Sequence, residues 1–250
     1  MEKEMLAKSQ PSSFVRSARQ AAESVSRLYE TSLAARERLD REYFTSEEDC
    51  YAEHLHIMYD NPGERMHRSD MEDIARSFCI WDLTDQGEDA CSDRSNAQKG
   101  FFASLLLFVA IKKCPQHMQT VQEIAQEALA EESPMLRVRA IQMLGVAARY
   151  MSDDLAGDSI DMICSAALHD VHDDVRRTAC DSLPYAGSHH PDRAQQIAQT
   201  LHKVHDNMSV AHGVRETARL SLIMNAIHQN GSAKRPQYSG AAIALPKNSM

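Results

Sequence analysis

Aromatic residues are scarce, at 6%, and glycine occurs only 9 times in 250 residues. No stretch alternates apolar and polar residues between turn signals, so strands are not expected. No apolar run reaches the roughly 18 residues that a membrane span needs. The longest, GFFASLLLFVAI at 100–111, is followed at once by Lys112 and Lys113 and fits a buried helix. The opening MEKEMLAKSQPSSF lacks the apolar core of a secretory signal. GxSxG, the P-loop and GxGxxG are all missing, which removes the common nucleophile and phosphate-cradle motifs. Six cysteines (Cys50, Cys79, Cys91, Cys114, Cys164 and Cys180) include no CxxC pair. They are expected to be reduced and mostly buried, in a cytoplasmic protein.

What is abundant is Ala, Leu, Met, Gln, Glu and Arg, a bias toward helix. Net charge is −9, but it is uneven: Glu42 to Asp93 holds 15 acids against 3 bases. Phosphates would be repelled there, so nucleic acid is not an expected partner. Nor is a membrane.

The stretch VHDDVRRTACDSL (171–183) has relatives within the chain. LRVRAIQML starts at Leu136, VRRTACDSL at Val175 and VRETARLSL at Val214, 39 residues apart each time. In register stand Leu136, Val175 and Val214; then Arg137, Arg176 and Arg215; then Ala140, Ala179 and Ala218; then Leu144, Leu183 and Leu222. The first, third and fourth of these columns are four residues apart, so they line one helix face. One further step back reaches AQKGFFASL at Ala97, where Gln98 and Phe101 leave the pattern. Between these helices, 117–130, 158–170 and 192–204 read as amphipathic helices of their own. Turns are expected at Cys114-Pro115, Ser133-Pro134, MSDDLAGD (151–158) and SHHPD (188–192).

Two helices in a 39-residue period is repeat-protein spacing. The pattern resembles the HEAT-repeat family, in which an acid closes the first helix and Val-Arg opens the second. Asp170 precedes Arg176 by six residues, and Glu131 precedes Arg137 by the same distance, while Ser209 fills that slot before Arg215. Over about 95–230 the resemblance implies an all-α fold, a short right-handed α-solenoid of HEAT-like helix pairs preceded by an N-terminal helical segment. The alternative is a helical bundle whose spacing coincides.

The chain then divides into a disordered start (1–10), an N-terminal helical segment with an acidic cap (11–93), the repeat domain (94–230) and a disordered tail (231–250). Within 11–44, Phe14, Ala18, Ala21, Val25, Leu28, Ala35 and Leu39 fall on a heptad seam broken at Ser32. This helix either packs on the repeats or makes a weak dimer of an otherwise monomeric protein. Capping boxes are expected at Thr45 with Glu48 and at Ser69 with Glu72, and Ser95 with Gln98 starts the next helix. Met71, Ile74, Phe78 and Trp81 are expected in the core. The tail contains one apolar stretch, AAIAL at 241–245, of the kind that docks as a short linear peptide.

Chemistry has few carriers. His169 with His172 and His202 with His205 sit near helix ends, with Asp170, Asp173 and Asp206 close by, all of them metal-ligand types. An iron-dependent helical-repeat hydroxylase class uses His-Glu pairs, and this chain has no His-Glu dipeptide. His189-His190 reads as incidental. Cys50 and His54, at i and i+4, could touch but have no orienting third group. Cys180 reads as core.

The expected function is a non-enzymatic protein–protein interaction scaffold without a cofactor. Its working face would be the second helices, carrying Arg137, Arg139, Gln142, Arg177, Asp181, Glu216 and Arg219. Their arginine excess suits an acidic protein or peptide. Two alternatives remain: a metal-binding helical-repeat enzyme using His169, His172, His202 and His205, and a bacterial effector-type protein exported to bind a host protein.

Overall fold

The computed structural model describes residues 11–36, 66–80 and 93–232. Among these residues the chain is all-α, with nine α-helices, four 3-10 turns and no strand. The helices are α1 (Ser13–Arg36), α2 (Arg68–Ile80), α3 (Asp93–Lys113), α4 (Met118–Leu129), α5 (Pro134–Ala147), α6 (Asp153–His169), α7 (Asp173–Ala186), α8 (Ala194–Asp206) and α9 (His212–Ser232). No described helix is long and apolar enough to cross a membrane. The expected helix with Thr45 and Glu48, the residues Cys50, His54, Trp81 and Cys91, and the tail lie outside the described residues.

The helix starts follow ordinary chemistry. Ser12 caps α1, its Oγ accepting from the Val15 N–H at 3.1 Å. Pro134 opens α5, where an N–H has no helical partner to lose. Asp153 and Asp154 open α6, and Asp173 and Asp174 open α7, where negative charge meets the positive end of the helix dipole. Three boundaries differ from expectation. The α2 cap lies two residues early: Asp70 Oδ2 accepts from the His67 N–H at 2.8 Å, while Ser69 and Glu72 are inside the first turns. Helix α3 begins at Asp93 rather than Ser95. Much of MSDDLAGD is helix, because α6 begins at Asp153 and buries Ala156 and Gly157.

From α4 onward each helix pairs with the next: α4 with α5, α6 with α7, α8 with α9. The second helices α5, α7 and α9 lie side by side in close contact. The first helices α4, α6 and α8 form another row that touches far less. The repeated columns are the packing face. Leu136, Val175 and Val214 are buried, as are Ala140, Ala179 and Ala218, and Leu144 and Leu183; Leu222 is partly buried. Each buried Leu or Val stabilises by roughly 1.5–3 kcal/mol, so the columns act as continuous glue from α5 to α9.

The register does not carry back to Ala97. Helix α3 packs mainly on α2 and α1, and it is α2 that lies against α4 and α5. Met71, Ile74 and Phe78 of α2 are buried there. Helix α1 packs on α2 and buries Phe14, Ala18, Ala21 and Val25, so the first half of the heptad seam is covered within the chain.

Three glutamates at four-residue spacing, two on α4 and one in the turn after it, tie this N-terminal assembly to the repeats. Glu123 pairs with Arg68 at 2.6 Å, Glu127 with Arg76 at 2.8 Å, and Glu131 accepts from Ser12 Oγ at 2.9 Å. Arg76 also lies over the Phe14 ring at 5.2 Å, joining α1 to α2.

Candidate interaction surface

The seven residues expected on the working face separate into two groups. Arg137 is not available to a partner: its side chain is 10% exposed and fully engaged. Nε and Nη2 donate to Asp170 Oδ2 and Oδ1 at 2.8 and 3.1 Å, and Nη1 donates to the carbonyls of Glu131 and Glu132 at 2.9 and 2.8 Å. The arginine therefore joins its unit to the acid of the next unit. Burial pushes the Asp170 carboxyl up, but hydrogen bonds from Arg137 and from the His172 N–H bring it net below the usual carboxylate value.

Arg139 is half-buried, with its guanidinium over the Phe78 ring at 5.2 Å and Nη1 donating to Gln142 Oε1 at 3.1 Å. Burial lowers its pKa, partly offset by Cys79. Arg177 pairs with Asp174 at 2.9 Å and Arg219 with Glu216 at 3.0 Å. The arginine excess is thus largely answered inside the chain, which weakens the charge argument for an acidic partner.

Gln142 and Asp181 do come together. With Val146, Arg149 and Tyr185 they line an open cleft of about 220 Å³ between α5 and α7. Its floor is Gly145 and Ser182. A Cβ on Gly145 would sit 2.9 Å from Ser182 Cβ, so glycine is what lets the two helices approach. Arg149 on one wall and Asp181 on the other supply both signs of charge beside the ring of Tyr185, which is 45% exposed. Small-molecule and cofactor pockets usually run from about 300 to 1,000 Å³. At about 220 Å³ this cleft is smaller than that range.

The four expected histidines do not converge on a metal centre among the described residues. His169, His172 and His202 are exposed, and His205 Nδ1 lies 3.3 Å from the Arg215 carbonyl. Among the described residues no three His, Cys, Asp or Glu side chains converge to hold an ion. His190 is far from incidental. It is buried, with Nε2 2.7 Å from the Ala148 carbonyl and Nδ1 3.2 Å from Asp153 Oδ1, tying the turn after α7 to the turn after α5.

Cys79, Cys114, Cys164 and Cys180 are free and buried. Burial pushes the Cys79 and Cys180 thiols up to about 12, with nearby arginines opposing it in both cases. Such thiols are poor nucleophiles.

Sequence reasoning missed Arg149, Tyr185 and an exposed apolar set on α9: Leu220, Ile223 and Ile227. The signal was present in the period, since Leu220 stands in the column of Gln142 and Asp181. No family model, no curated protein and no solved structure matches the chain.

Proposed function

We propose that the chain is a non-enzymatic protein-binding scaffold: a short right-handed HEAT-like α-solenoid whose second-helix face takes a protein or peptide partner. The closer packing of α5, α7 and α9 than of α4, α6 and α8 supports curvature with the second helices on the inner side. The cross-unit pair Arg137–Asp170 supports the HEAT resemblance, since it joins the arginine that opens one second helix to the acid that closes the next first helix. The observation that carries the function is the α5/α7 cleft, which presents Asp181, Arg149 and Tyr185 in a volume of about 220 Å³. The partner is a segment with a polar or aromatic anchor residue rather than a strongly acidic surface. Buried reduced cysteines fit a cytoplasmic setting. The covered face of α1 fits a monomer.

The test is affinity capture of the tagged full chain with quantitative mass spectrometry, beside an Asp181→Lys/Tyr185→Ala version. Both positions are exposed, so the fold is expected to persist. A protein retained by the wild type and lost at least tenfold by the variant supports this face. Equal retention by both overturns it.

A further inference from the structure

Helix α9 carries large aliphatic side chains on its open side as well as on its packed side. Its buried positions are Val214, Ala218, Ser221 and Asn225. Its open side carries Leu220, Ile223 and Ile227, exposed by 54%, 48% and 56%. Two periods earlier, the same columns hold Gln142, Gly145 and Arg149, which line the cleft from α5 and the turn after it. One period earlier they hold Asp181, Pro184 and Ser188. In α5 the middle column faces the following second helix, with Gly145 against Ser182, and in α7 Pro184 is buried. Ile223 therefore occupies the column that covers a neighbour, at the end of the row where no described helix follows. A stack of repeats needs its last apolar face covered.

We infer that the chain's own segment Ala241–Leu245 lies back along α9 and covers Leu220, Ile223 and Ile227. The rest of the molecule narrows the occupant. Three half-exposed aliphatic side chains offer on the order of 300 Å², well short of the roughly 800 Å² per partner of a stable interface. A second copy docked on this stripe alone would dissociate. A tethered segment works at an effective concentration near millimolar and needs far less area. The apolar run AAIAL follows Ser232 along the sequence. The eight residues between Ser232 and Ala241 span up to about 26 Å. Leu220 lies about 18 Å back along the helix from Ser232, so the run reaches all three side chains. Pro246 ends it, and Lys234, Arg235 and Lys247 flank it with no acid.

This inference does not depend on a partner at the α5/α7 cleft, and its test uses none. Isoleucine δ1-methyl NMR on the full chain is compared with Ile243→Asp. The expected result is that the Ile223 and Ile227 methyls show contacts to Ile243 or Leu245, and shift on substitution, while Ile124 and Ile160 do not move. Unmoved Ile223 and Ile227 methyls overturn the inference. So does sedimentation of the wild type as a dimer that Ile223→Asp, but not Ile243→Asp, converts to monomer, which would assign the stripe to a second copy.

Discussion

Arg137 and Asp170, 33 residues apart, meet in a two-pronged ion pair with both side chains about one-tenth exposed. The arginine is anchored at the start of α5 and the acid closes α6, so the pair spans two successive units. Removing one partner strands the other charge in a place water barely reaches. Arg137→Ala is expected to cost about 3–5 kcal/mol, read as a fall in the urea midpoint. Replacing both by apolar residues, Arg137→Met with Asp170→Leu, should cost much less than the sum of the single changes. An additive double variant would mean that the pair does not couple the units.

The same carboxylate sets a pH dependence. Its folded pKa lies below the ordinary value because the hydrogen bonds from Arg137 and the His172 N–H outweigh its burial. A depressed folded pKa contributes stability that is present above the unfolded value near 4 and is lost as pH falls through the folded value. Asp170→Asn is expected to lower stability at pH 7 and to flatten the acid limb of the stability curve below about pH 4. An unchanged acid limb would assign the acid sensitivity to other carboxylates.

Two glycines should respond to alanine with opposite signs. At Gly145 the new Cβ would meet Ser182 Cβ at 2.9 Å, so α5 and α7 must separate. Overpacking of this kind costs about 1–3 kcal/mol, more than the roughly 1 kcal/mol that alanine returns in a helix. At Gly213 nothing lies within 4 Å, so Gly213→Ala should stabilise by about 0.5–1 kcal/mol. Thermal melts of both variants decide it. Ser182→Gly added to Gly145→Ala should restore part of the loss.

Cys79, Cys114, Cys164 and Cys180 should resist a thiol reagent at neutral pH until the chain unfolds, because each is buried and burial raises all four thiols. Mass mapping after a short pulse of iodoacetamide checks this. Labelling of Cys180 in the folded chain would contradict its buried place on the packed face of α7.

The helices of the repeat region were readable because their apolar columns recur: Leu136, Val175 and Val214 identify the packing face before any coordinate is known. The pairing of helices followed from the short turns between them. The side-chain roles were harder. Arg137 and Arg139 look alike on paper, two apart on one helix, yet one is locked to Asp170 and the other lies over Phe78. Both partners come from elsewhere in the chain, and local spacing carries no record of them. The glutamate row of α4 and the turn after it was invisible for the same reason, since Arg68, Arg76 and Ser12 arrive from the N-terminal segment.

His190 illustrates the point most sharply and gives the last prediction. It follows His189 in a turn, and nothing nearby distinguishes the two. His189 is exposed, while His190 is buried between the Ala148 carbonyl and Asp153. Ala148 follows α5 and Asp153 opens α6, so one imidazole connects the turn after α7 to the turn one unit earlier. Truncating it leaves a cavity and takes the donor from a buried carbonyl, a loss of about 1–3 kcal/mol. His190→Ala should therefore lower the unfolding midpoint and raise amide exchange at the end of α5 and the start of α6. His189→Ala should do neither. Equal behaviour of the two variants would mean that the link contributes nothing and that the column packing alone keeps the units in register.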